Sequence, residues 1–160
     1  MIAQRLRVAA YAVCTRDEHV LLARFVSADS SACHWTLPGG GVEHAEDPYD
    51  AVVREVAEET GYQVRVEHLL GVHSRTRYVP LGAADAAELH MLAIYYRVRI
   101  TGGDLRHETG GSTDRAQWTP LASVAELERS VVVDAGLALH RGLPPSGHVP
   151  PIEMSELLRH

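Results

Sequence analysis

The chain contains no lysine and no asparagine, a single phenylalanine and only two cysteines among its 160 residues. Without Asn there is no acceptor for N-glycosylation. Cys14 and Cys33 lie far apart in sequence with no C-x-x-C spacing. That excludes a thiolate zinc site and a disulfide framework, and it predicts two reduced, partly buried thiols. All fifteen basic residues are Arg, against twenty-one acidic residues, giving a net charge of −6. Nucleic-acid affinity draws on cationic side chains that neutralise phosphates and release counterions, so no nucleic-acid partner is expected. The longest apolar run, Val8 to Cys14, is far short of the roughly 18 residues a membrane-spanning helix needs, and no membrane partner is expected. The first residues lack the apolar core and cleavage site of an export signal, which predicts a cytoplasmic location. The missing Lys and Asn are encoded by AT-rich codons, which points to a GC-rich bacterial genome.

What is present is the composition of an ordinary folded domain, with 46% hydrophobic and 22% charged residues. The length suits one domain, expected over residues 1–142, followed by a proline-rich surface tail over 143–160. Leu6 to Thr15 and His19 to Phe25 are Val- and Leu-rich runs that together predict a hairpin. Trp35 to Leu37 reads as a short strand ended by Pro38 and a tight turn at Gly39, Gly40 and Gly41. Further strands are predicted over Gln63 to Val72, Glu88 to Ile100 and Arg115 to Thr119, and helices over Leu121 to Arg129 and Val131 to Arg141. Strands around one central helix, with helices late in the chain, make a mixed α/β domain.

The central helix carries the clearest local signals. Asp47 stands at the N-cap, Pro48 at the first helical position and Gly61 where a left-handed residue ends a helix, so the spacing predicts Pro48 to Thr60. At 100° per residue, Tyr49, Val52, Val53 and Val56 fall on one arc facing the core. Glu55, Glu58 and Glu59 fall on an adjacent arc at the edge of solvent. Like charges at this spacing cost a helix a few tenths of a kcal/mol per pair, roughly, and more where water is excluded. Arg54 can pair with Glu58 and Asp50, but one guanidinium does not balance this set. Oxygen-only carboxylate donors suit Mg²⁺ or Mn²⁺ rather than zinc, and Mg²⁺ characteristically bridges carboxylates to substrate phosphates. Taken alone, an EVAEE string also reads as a solvated acidic face.

The surrounding spacing decides between them. Gly40, five residues, Glu46, seven residues, then Arg54, Glu55, Val56, Ala57, Glu58, Glu59, Thr60, Gly61 and Tyr62 is similar to the signature of the Nudix hydrolase family, GX5EX7REUXEEXGU, where U is bulky and apolar. Every fixed position is met, a match that chance produces about once in a million chains of this length. Tyr62 is the one unusual choice, at a position where aliphatic residues are commoner. Trp35-Thr36-Leu37-Pro38 ahead of the box also resembles the family. The resemblance implies an α/β/α sandwich around a mixed β-sheet. It further implies that Glu55, Glu58, Glu59 and the Gly39 carbonyl hold Mg²⁺ or Mn²⁺, and that Arg54 orients the carboxylates. Glu46 is implied to be a mainly structural residue at the helix start, where its charge is favourable in any case.

The activity implied is hydrolysis of the pyrophosphate linkage in a nucleoside diphosphate joined to another moiety: a nucleoside triphosphate, an ADP-ribose-like sugar or a dinucleoside polyphosphate. Metal ions would offset the developing charge and activate a water, with Glu58 or Glu55 taking its proton. Gly40 and Gly41 would let substrate approach the backbone, and Glu108 or Asp114 would add a further carboxylate. Many relatives are homodimers, which makes a homodimer the implied assembly. The rival reading is a non-catalytic Nudix domain that binds a nucleotide metabolite as a sensor; eroded box carboxylates would mark it, and all are present. Outside the box, Arg75 with Arg77, and Arg97 with Arg99, share strand faces and would clamp phosphates. Tyr95, Tyr96, Trp35 and Trp118 are candidates for stacking on a base. Tyr78 and Pro80 resemble single residues of the dinucleoside-polyphosphate and ADP-ribose hydrolases respectively.

Overall fold

A computed structural model describes residues 2–80 and 85–160. Strand β1 (Ala3–Val13) alternates its side chains between two apolar environments and so becomes the centre of the domain. Ala9, Tyr11 and Val13 point into one core cluster and Ala10 and Ala12 into a second, all buried. Both faces being covered, β1 takes partners on both edges. It pairs antiparallel with β5 (Gly39–Gly41) and parallel with β7 (Ala86–Gly103), whose other edge carries β6 (Tyr62–Pro80). A second sheet runs β10 (Leu158–Arg159), β9 (Arg129–Ser130), β4 (Cys33–Thr36), β3 (His19–Val26) and β2 (Thr15–Arg16), with β8 (Thr113–Pro120) on β3. Helix α1 (Pro48–Thr60) packs Ala51, Val52 and Val56 on one side of β1, and α2 (Val131–Gly142) packs Val132, Val133 and Leu139 on the other. The expected α/β layering with mixed pairing holds, but the strands divide between two sheets.

Three local expectations are corrected. The first two runs are not a hairpin: only Thr15 and Arg16 fold back on Val20 and His19 through a turn with positive φ at Asp17 and Glu18, while β1 and β3 lie in different sheets. The glycine triplet is a short strand rather than a turn. The helix expected over Leu121 to Arg129 is a 3-10 segment, Leu121–Glu126. The chain then straightens into β9, where the Arg129 side chain donates to the Ala125 and Leu127 carbonyls and bidentately to Asp134.

Residues 143–160 are largely exposed but anchored at two points. Val149 and Leu158 are buried, Val72 N–H donates to the Gly147 carbonyl, and β10 pairs with β9. β6 and β7 run well past their predicted bounds. Their far ends carry polar residues on both faces, with Ser74, Arg75, Thr76 and Arg77 in succession on β6, so the apolar periodicity that marks a strand fades there.

Candidate active site

Helix α1 forms where its caps place it. The Asp47 side chain accepts from Tyr49 N–H, and Gly61, at φ 77°, returns its N–H to the Ala57 carbonyl. Its core arc is rotated from the expected one. Val52 and Val56 are buried as predicted, but Tyr49 is 46% exposed and Glu59, at 3%, is enclosed. Glu59 tolerates enclosure because the Gly39 N–H donates to its Oε2 at 2.9 Å, tying the helix to the glycine strand.

Arg54 organises the carboxylates. Its Nε and Nη2 grip Glu46 at 2.8 and 3.0 Å, Nη1 reaches Glu55 Oε1 at 3.0 Å and Glu58 Oε2 at 3.3 Å, and Nη2 also donates to the Gly41 carbonyl at 3.2 Å. The sequence pairing of Arg54 with Glu58 is present; Arg54 spends its remaining donors on Glu46 rather than Asp50. The bidentate grip of Arg54, with a bond from Glu43 N–H, holds the Glu46 carboxyl at about 2. Glu46 is thus depressed below its ordinary value, and its stabilising contribution is complete above the unfolded pKa of about 4.3 and lost as pH falls from there towards 2. We expect Glu46→Gln to flatten the fall of Tm over that window relative to the parent chain, read by calorimetry across pH.

The remaining carboxylates are left in surplus. Burial raises Glu59 well above the usual carboxylate range, opposed by the Gly39 N–H and reinforced by Glu55, Glu108 and Glu58. Burial likewise raises Glu55, with Arg54 pulling it back. Glu108 accepts from Thr113 N–H and Oγ1 at 3.1 and 2.7 Å, and its charge is felt at both Glu55 and Glu59. Asp114, the other candidate, is instead bound bidentately to Arg24 at 2.8 and 2.7 Å. One Arg facing Glu46, Glu55, Glu58, Glu59 and Glu108 leaves an excess of hard oxygen donors, which is the donor chemistry of Mg²⁺ or Mn²⁺. Among the described residues no three or more His, Cys, Asp and Glu side chains are gathered so that they could hold a metal ion. Mg²⁺ ordinarily keeps waters and substrate phosphates among its ligands, so an open set of this kind fits it.

Gly39, Gly40 and Glu59 line a cleft of about 620 Å³ that also takes in Tyr11, Phe25, His34, Arg7, Arg75 and Arg77. Gly41 lies beside it, with Arg7 Nη2 3.5 Å from where its Cβ would stand. Of the predicted phosphate clamps, Arg75 and Arg77 are therefore in the cleft. Arg97 and Arg99 are paired with Glu67 in a separate hollow. The predicted aromatics are elsewhere. Tyr95 is fully buried, Tyr96 sits edge-on to Tyr49, Trp118 lies under the Arg16 guanidinium at 4.4 Å, and Trp35 packs on the core. The rings at the cleft include Tyr11, Phe25 and His34, with His160. Sequence reading misses them because strand pairing alone brings Phe25 opposite His34. Of the two thiols, Cys14 is buried and pushed up to about 11 by that burial, while Cys33 is exposed.

A glycine strand laid over a capped helix, with arginine-tied glutamates between two mixed sheets, is the mark of a whole domain class rather than of one side chain. The NUDIX domain family matches residues 4–138, and the chain belongs to that family. It is 32% identical over 120 residues to an ADP-ribose pyrophosphatase of Methanocaldococcus jannaschii, covering 75% of this chain and 65% of that protein. It is 40% identical over 103 residues to a CMP-5'-(N-acetyl-N-hydroxy-3-aminopropyl)phosphonate hydrolase of Streptomyces rubellomurinus, covering 60% of this chain and 42% of that protein. The chain thus spans less than two thirds of either relative. Its fold matches the crystal structure of a MutT protein from Methanosarcina mazei Go1 with a TM-score of 0.67 at 22% identity, covering 88% of this chain and 97% of that one. No helix of the described residues is long and apolar enough to cross a membrane.

Proposed function

We propose that the chain is a metal-dependent pyrophosphohydrolase that cleaves the diphosphate linkage of a nucleoside diphosphate joined to a second moiety, with Mg²⁺ or Mn²⁺ as cofactor. The observation that carries this reading is the intact glutamate set of α1, tied by Arg54 and Gly39 at one end of a substrate-sized cleft. Glu55, Glu58 and Glu59, with the Gly39 carbonyl, would hold the cation, which when bound supplies Lewis-acid polarisation of the phosphoryl oxygens. Arg54 fixes the orientation of Glu55 and Glu58, so that neither carboxylate has to reorganise as charge develops. Glu58, the most exposed of the three, would take a proton from water. Glu108 is the further carboxylate in this scheme. Relatives named for ADP-ribose and for a CMP-linked phosphonate support a nucleotide-type substrate. The sensor reading has no observation in its favour here, since the box is complete.

The test is product release from ADP-ribose, a nucleoside triphosphate and a dinucleoside polyphosphate, each with Mg²⁺ and with Mn²⁺. Turnover of at least one is expected; binding without turnover across the panel would hand the chain to the sensor reading. Gly40 supplies a finer check, because a Cβ there would stand 2.7 Å from Glu55 Oε1 and 2.9 Å from its Cδ, with no backbone atom among its nearest neighbours. Gly40→Ala should therefore move the carboxylate and not the fold. Activity is expected to fall on the order of 10- to 100-fold, as displacing a reacting group by about 1 Å does, with Tm nearly unchanged.

A further inference from the structure

We infer that the open end of the cleft is a phosphate site for a group lying beyond the scissile diphosphate, so that preferred substrates carry a longer phosphate chain or a phosphorylated leaving moiety. This rests on the hydrolytic reading above for the word substrate, but not for the site itself.

The site is written in strand register. Arg7 of β1 and Arg75 of β6 are both paired with Met91 of β7, and Arg5 and Arg77 are both paired with Leu89 one step along the same face. Two successive rungs of the sheet therefore each carry an Arg on either side of an apolar residue. With strands about 4.8 Å apart, the two backbones of a rung are about 10 Å apart, a span that two long guanidinium side chains close over one phosphate. Arg7, Arg75 and Arg77 reach the cleft. Tyr11 stands between the two ends, within the fields of Arg75 and Arg7 on one side and of Glu59 and Glu55 on the other. The Arg7 guanidinium reaches back to Gly41, 3.5 Å from where a Cβ there would stand, so the arginines adjoin the glutamate end and continue the cleft from it.

The arginines are also short of partners. Arg75 Nε and Nη1 and Arg77 Nε are shielded from water with no hydrogen-bond acceptor, and Tyr95 Oη beneath them is unpartnered too. No salt bridge engages Arg7, Arg75 or Arg77 among the described residues. Burial lowers Arg75 from its ordinary value, as expected of a guanidinium held without a counter-charge. Shielded cationic donors are costly to leave unpaired, and a phosphate dianion answers them directly.

The experiment titrates inorganic tripolyphosphate into the chain in EDTA at low salt, by calorimetry. Saturable binding is expected, weakened at least tenfold in Arg75→Ala/Arg77→Ala, severalfold in Arg7→Gln, and by added salt. No binding by the parent chain, or equal binding by parent and variants, overturns the inference. Citrate binding as tightly as tripolyphosphate does so as well, by assigning the site to carboxylates. Arg7 is exposed, so Arg7→Gln decides the matter if the double variant does not fold. A second arm compares kcat/KM for a dinucleoside tetraphosphate with that for ADP-ribose. The ratio should fall at least tenfold in the double variant, and an unchanged ratio overturns the inference while leaving hydrolysis standing. Arginine-dependent tripolyphosphate binding with no hydrolysis of any substrate would instead leave the site standing and remove the reaction.

Discussion

Glu58→Gln is expected to lower kcat by about 10²- to 10⁴-fold, the range general-base catalysis supplies, while leaving thermal unfolding cooperative and Tm close to that of the parent. The two halves of that expectation have separate causes. Glu58 is half exposed, and its single hydrogen bond to Arg54 is a long one at 3.3 Å, so an amide in its place disturbs little packing. Arg54 keeps its grip on Glu46 and Glu55 in the variant. The carboxylate's value therefore lies in its charge and its basicity, which Gln lacks at nearly equal shape. Stopped assays with ADP-ribose and Mg²⁺, set beside calorimetric unfolding, read both quantities. Full activity in the variant removes Glu58 from the chemistry.

The second large effect is on folding. Gly39 sits at φ 144°, with its N–H on Glu59 and its Cα paired with Tyr11 of β1. A Cβ there would fall on the Ala10 carbonyl oxygen and 2.7 Å from Tyr11 Cα, both backbone atoms of the central strand. Neither can retreat, because β1 is packed on both faces. Gly39→Ala is expected to cost at least about 3 kcal/mol, combining the strained φ with a steric conflict that cannot relax. In a chain of this size that is a fall in Tm on the order of 10 °C. The contrast with Gly40→Ala is the informative part. Adjacent glycines of one strand separate fold from site, since one would meet backbone and the other the tip of a glutamate. A Gly39→Ala variant as stable as the parent would mean that β5 is not clamped between β1 and Glu59 as described.

What could be read from the sequence follows how local each feature is. Helix α1 is legible to the residue because Asp47, Pro48 and Gly61 mark its ends by their own backbone chemistry. The glutamates are legible for the same reason, as positions on one helix. The arc of α1 that faces inward was less so, since Tyr49 lies on the apolar stripe yet remains half exposed while Glu59 is enclosed by Gly39, a residue twenty positions away. The division of strands into two sheets was not legible at all. Val- and Leu-rich runs flanking a turn look alike whether they pair with each other or, as β1 does, with strands from the far side of the chain. The arginine rows fall in the same class. Alternation places Arg75 beside Arg77, but only the β1–β7–β6 register brings Arg7 and Arg5 across from them. Proline-rich composition suggested a surface tail over 143–160, yet Val149 and Leu158 find apolar partners in a core that the preceding strands had already built.

The most direct test of the account is Mn²⁺ uptake, read from the electron paramagnetic resonance of the free ion as the chain is titrated in with ADP-ribose present. Saturable uptake by the parent chain, lost in Glu58→Gln/Glu59→Gln while that variant still unfolds cooperatively, is the predicted result. Uptake that is absent in the parent, or undiminished in the double variant, would contradict the claim that the glutamates of α1 gather a divalent cation beside the diphosphate.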